Sequence, residues 1–104
     1  MQIEITPVPD EQRKPLFDDT SKLGFGRVYT DHMLTARWNA AQGWHDAKIG
    51  PYAPFQLDPA TIVFHYGQEI FEGTKAFVGE DGQIRLFRPD RNLWRMNRSA
   101  RRMP

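Results

Sequence analysis

Cysteine is absent from the 104 residues. This excludes a disulfide framework, a thiolate nucleophile and a cysteine-ligated zinc site, and it agrees with a reducing compartment, the cytoplasm. Also missing is any apolar run of about 18 residues, the length a membrane helix needs. The opening MQIEITPVPDEQRK has neither the basic n-region nor the apolar h-region of a signal peptide. The expectation is a soluble, unexported chain with no membrane partner. Serine occurs only at Ser21 and Ser99, neither of them in a nucleophile turn, so no Ser/His/Asp assembly can be argued. The three histidines, His32, His45 and His65, lie too far apart for the short spacings of metal sites, and no metal is expected. Asn97-Arg98-Ser99 meets the glycosylation sequon, but without a signal peptide it has no route to the modifying compartment.

Hydrophobic residues make up 39% and charged residues 26%, with seven Phe, three Trp and three Tyr, which is the composition of a folded chain. The length fits one small domain with a single modest core. A net charge of +1 conceals an asymmetry. Residues 1–84 hold seven Lys/Arg against twelve Asp/Glu, whereas residues 85–104 hold seven Arg against Asp90 alone. The last twenty residues therefore seek an anion. The closing RRMP has no glycine cap, polar tail or final element, so the sequence reads as cut off.

Residues 1–22 combine three prolines with charge clusters and read as an N-terminal arm with one short edge strand at Gln2–Thr6. Gly24-Phe25-Gly26 is too little for a phosphate loop and reads as a bend carrying an aromatic. Residues 30–39 alternate with period two, AAQGW supplies a turn, and HDAKIGPY returns as a second strand. Asp58 as N-cap, Pro59 at N1 and Gly73 at C′ predict a deeply packed helix of about four turns. TKAFV and QIRLF flank Asp81-Gly82, a strong hairpin signal. Pro89 opens a second helix over 89–103, with Asp90 well placed against its dipole. The order is β-β-α-β-β-α, an α+β fold.

On the second helix Leu93, Met96, Ala100 and Met103 share one side, and Arg88, Arg91, Arg95, Arg98 and Arg102 cluster on the other. Such a face is either solvated, with Arg91 or Arg95 paired to acids such as Glu80 or Asp81, or it binds an anion through guanidinium forks. Nucleic acid is the usual anion to consider, but the rest of the chain is acidic and Trp94 is the one aromatic among the arginines. Lys75 lies in an apolar stretch, where a lysine can form a Schiff base; alternation places it beside Phe77, which favours a structural role. Tyr66, next to Gln68 and Glu69, is either a core tyrosine or part of a polar network.

GRVYTDHMLTARWN, then LDPATIVFHYGQEIFEGTKAF, then RLFRPDRNLWRMNRSARRM resemble three successive blocks of the N-terminal part of branched-chain amino acid aminotransferases, class IV, fold-type IV pyridoxal 5′-phosphate enzymes. The likeness runs from about Gly24 to the end, in the family's order. It implies an N-terminal arm at 1–22 and an incomplete small domain at 23–104, with the large catalytic domain absent. By the same resemblance Arg95 matches a cofactor-phosphate clamp, Tyr66 a tyrosine lining the substrate pocket, and Phe25 an aromatic against the branched substrate side chain. Lys75 matches a lysine that is not the Schiff-base residue. The family's Schiff-base lysine, the acid at the pyridine nitrogen and the arginine for the substrate carboxylate lie further along the chain. The resemblance thus implies transamination between leucine, isoleucine or valine and 2-oxoglutarate by a homodimer or higher homo-oligomer, and a 104-residue piece that is inactive by itself. A stand-alone domain that binds nucleic acid or another anion through the arginine helix is the alternative.

Overall fold

The alternation after Thr30 and the return after Gly43 do form a hairpin. In the computed structural model, which describes residues 2–17 and 19–104, the strands in chain order are β1 (Ile3–Ile5), β2 (His32–Asn39) and β3 (Gly43–Pro51). Met1 and Asp18, both within the segment read as an arm, lie outside the described residues. There follow α1 (Val63–Tyr66), β4 (Ala76–Val78), β5 (Ile84–Leu86) and α2 (Pro89–Ala100). From β2 onward this is the expected β-β-α-β-β-α order of an α+β fold.

Two compact units divide the chain, Met1–Gln56 and Leu57–Pro104. In the first, the sheet order is β1-β3-β2, with β3 antiparallel to β2 and parallel to β1. The short N-terminal strand expected at Gln2–Thr6 is therefore present, and Thr6 N–H extends it by donating to the Ile49 carbonyl at 2.9 Å. Asn39 closes the hairpin, because its Oδ1 accepts from the N–H groups of Ala41 and Gln42 at 3.0 and 2.8 Å. A bulge interrupts the pairing where Asp46 and Ala47 oppose Ala36, with Asp46 in the left-handed region at φ 49°. Residues before the hairpin are tied back to it: Val8 N–H donates to His32 Nε2 at 2.8 Å, and Lys14 N–H to Asp31 Oδ1 at 3.1 Å.

The second unit holds the β4–β5 hairpin and both helices. Its turn has Gly82 at φ 73°, and Asp81 is held across it by both Nη atoms of Arg85, at 2.7 and 2.6 Å. Pro89 starts α2 as expected, with Arg88 before it at φ 47°, but the helix expected to run to residue 103 is corrected to end at Ala100, leaving Arg102 and Met103 beyond it.

The helix expected from Asp58 to Gly73 is corrected to the single turn α1. Asp58 does cap, but it caps a turn, its Oδ1 accepting from Ala60 N–H at 2.7 Å, while Gly67 rather than Gly73 takes the left-handed position, at φ 57°. Deep packing is corrected as well, since Ile62, Phe64 and Phe71 are exposed. The single core expected from length is not formed either. Among the described residues only Val8 and Ala47, 9% and 3% exposed, count as buried. The chain presents 10054 Å² of accessible surface, against about 6,000 Å² for a compact monomer of this mass and about 7,300 Å² for two separate compact halves. Large apolar side chains such as Leu16, Phe25, Tyr66 and Phe71 are exposed.

Candidate functional site

The arginine helix finds its acid in the second unit, within residues 65–77. Glu72 follows the short α1 in an irregular stretch, and four donors converge on its carboxylate. Gly73 N–H and Asn92 Nδ2 donate to Oε1 at 2.9 and 3.0 Å. Arg95 completes the set, with Nε on Oε2 and Nη2 on Oε1, a side-on bidentate pair. Asn92 and Arg95 stand three residues apart on α2 and so share a helix side. Asn92 Nδ2 also reaches the Gly73 carbonyl at 2.7 Å, which fastens the 72–73 backbone to α2.

Arg95 and then Asn92 hold the Glu72 carboxyl down to about 2, while Glu72 in turn raises the guanidinium further above its ordinary value. The carboxylate side chain is 8% exposed and the arginine side chain 58%. An ionised acid this well covered needs such partners, since an unpaired buried charge is costly. A guanidinium carries five N–H donors, of which Glu72 takes two, so the Nη1–Nη2 edge is left for another oxyanion.

Glu80 and Asp81, the acids expected to neutralise Arg91 or Arg95, do not do so. Asp81 belongs to Arg85, and among the described residues Arg91 pairs with its neighbour Asp90, at 3.6 Å. Trp94 is engaged on one face by Arg98, whose guanidinium carbon lies 5.2 Å from the ring centroid. Beside the cluster lies an open concavity of about 670 Å³ bordered by Gly73, Lys75, Phe77, Leu86, Phe87 and Asn92 among others. Lys75 and Phe77 line it together, in keeping with their alternation.

Similarity to curated proteins shows the family of the chain. A branched-chain-amino-acid aminotransferase of Mycolicibacterium smegmatis is 55% identical over 97 residues, covering 93% of this chain and 26% of that protein. Branched-chain-amino-acid aminotransferase 2 of Bacillus subtilis is 46% identical over 103 residues, covering 99% of this chain and 27% of that protein. The chain belongs to the branched-chain-amino-acid aminotransferases. It matches their N-terminal part and spans about a quarter of the length of the curated relatives. A cytosolic aminotransferase of the same name from Saccharomyces cerevisiae is 53% identical over 83 residues, with 80% of this chain and 22% of that protein covered. No family model matches the chain.

Of the three residues singled out from the sequence, Arg95 and Tyr66 lie in the second unit and Phe25 in the first. Arg95 sits with Glu72 and Asn92, as described. Tyr66 ends α1 with its ring exposed and makes none of the cluster's hydrogen bonds. Phe25 is fully exposed in the bend 25–27 of the first unit. The histidines serve local structure: His45 bridges the Gly43 carbonyl at 2.9 Å and Asn39 Nδ2 at 3.3 Å, and His65 Nε2 donates to the Pro59 carbonyl at 2.8 Å. Among the described residues no group of three or more His, Asp or Glu could hold a metal ion, and no helix is long and apolar enough to cross a membrane.

Glu72 and Asn92 are the members of the Arg95 cluster that sequence reasoning missed. The available signal was a glutamate isolated in an apolar run, which demands a cation, in a chain whose last helix offers little else.

Proposed function

We propose that this chain forms part of the cofactor and substrate site of a pyridoxal phosphate-dependent transaminase that exchanges the amino group between leucine, isoleucine or valine and 2-oxoglutarate. What carries the reading is identity to branched-chain aminotransferases over nearly the whole chain. The donor set supports it: a partly exposed guanidinium with one free fork, on a helix of arginines, suits a phosphate dianion. Bound pyridoxal phosphate supplies the electron sink for moving the amino group.

The contributions of this chain are binding and exclusion of water. Arg95 holds the cofactor phosphate through its free edge. Tyr66 and Phe25 supply aromatic surface to the branched side chain of the substrate, where one methylene is worth about 1–3 kcal/mol, so all three branched amino acids are accepted. The lysine that carries the cofactor, the acid at the pyridine nitrogen and the arginine for the substrate carboxylate come from the part of the family's length that this chain does not span. The 104 residues alone therefore do not transaminate. The same reading makes the complete protein a cytoplasmic homo-oligomer whose further domain covers the exposed apolar side chains.

The test is an assay of the full-length polypeptide with each branched amino acid and 2-oxoglutarate, following glutamate. Turnover of all three is expected, with Tyr66→Ala and Phe25→Ala raising KM for leucine roughly tenfold. Absence of glutamate with every one of the three would overturn the reading.

A further inference from the structure

The pair between Glu72 and Arg95 is lopsided. Glu72 has two anchors besides Arg95, the Gly73 N–H and Asn92 Nδ2, and Asn92 is itself fixed by the Gly73 carbonyl. The carboxylate is thus a post set in place by backbone and amide, 8% exposed, while the guanidinium it grips is 58% exposed. An arginine side chain has several free rotations, and a clamp works only if those are stopped before the ligand arrives. Glu72 stops them by occupying Nε together with the near hydrogen of Nη2. A bidentate grip of this kind leaves the end-on Nη1–Nη2 fork of the guanidinium whole.

We infer that Glu72 is the positioning residue for Arg95, holding the guanidinium by its Nε edge so that the opposite fork is presented to the phosphate of the cofactor. The inference rests on the reading of Arg95 as the phosphate-binding arginine. The rival role for Glu72 is that of a competitor, neutralising Arg95 until phosphate displaces it. The burial argues against displacement, because a carboxylate with two other donors and little exposure has nowhere wetter to go. Its carboxyl is held to about 2, chiefly by Arg95, so it remains an anion wherever the enzyme works. The net positive charge that attracts phosphate comes from the neighbouring arginines of α2, Arg91 and Arg98 among them.

The experiment measures dissociation constants of the full-length apoprotein for pyridoxal 5′-phosphate and for pyridoxal, by absorbance titration, and takes their ratio as the phosphate preference. Arg95→Ala should lose most of that preference. Glu72→Gln should lose about tenfold of it while leaving the pyridoxal constant unchanged, the size expected of an outer-shell partner. Glu72→Asp, which keeps the charge but withdraws it by one methylene, should resemble Glu72→Gln. The double variant Glu72→Gln/Arg95→Ala should fall no further than Arg95→Ala alone, since both act through one guanidinium. A preference unchanged or raised in Glu72→Gln, with Arg95→Ala impaired, overturns the positioning role and leaves the Arg95 reading standing. An Arg95→Ala protein with full preference overturns the Arg95 reading, and the inference with it. If Glu72→Gln does not fold, Asn92→Ala, which removes one anchor of the same carboxylate, decides by the same ratio.

Discussion

Glu72 and Asp81 are the carboxylates that this chain ties most closely to arginine, and each is held to about 2, by Arg95 and by Arg85 respectively. In the unfolded chain they titrate at ordinary values, 4.5 and 3.8. Each is thus more acidic when folded, so its contribution to stability is complete above those values and is lost as pH falls toward 2. The denaturation midpoint of the full-length protein should be level near neutral pH and decline below about 4.5. Part of that decline should vanish in Glu72→Gln; an acid limb identical to that of the wild type would show that the pair contributes nothing. Arg95 was singled out in the sequence because it sits in a block that resembles the family's. Its partner was not, because helical spacing rules see acids three or four positions away, whereas Glu72 reaches Arg95 only through the fold. Of the five arginines expected on one side of the helix, Arg91, Arg95 and Arg98 lie within α2, whereas Arg88 precedes it and Arg102 follows it, and Asp81, one of the acids considered as their partner, pairs with Arg85 instead.

The second hairpin was readable from the chemistry of its turn and the first from alternation and AAQGW, while the side chain that closes the first, Asn39, was not singled out. Asn39 bonds the backbone ahead of it, and Asp81-Gly82 supplies a residue content with positive φ. The first helix was misread because its two ends were each plausible and the glycine between them was passed over. Gly67 stands at φ 57° and ends the helix after one turn, and the apolar residues beyond it are not packed as a helix of that length would require. Gly67→Ala should therefore cost about 1 kcal/mol of unfolding free energy, the strain of a side chain in the left-handed region. Gly73→Ala is the contrasting substitution: an added Cβ there meets Phe71 at an ordinary 3.8 Å, so near-neutral stability is expected. Chemical denaturation of the two variants checks this, and a larger loss at Gly73 would restore the longer helix.

For the whole chain the telling quantity is surface left uncovered. With Val8 and Ala47 the buried residues among those described, and several thousand Å² more surface than compact packing allows, neither unit has the core that gives cooperative unfolding. The 104 residues expressed alone should bind a hydrophobic dye and melt over a broad range, and the full-length protein should do neither; a sharp, dye-free transition in the short chain would contradict this. The sheet adds a condition on how such a chain is made. Strand β3 lies between β1 and β2, and its partner Ile3–Ile5 is synthesised before Ala47–Ile49, which receives it. The local hairpin closes first and the leading strand is added last, so a nascent chain carries an unmatched strand through that interval. A fused segment that pairs with Ala47–Ile49 in place of Ile3–Ile5 would compete at that step.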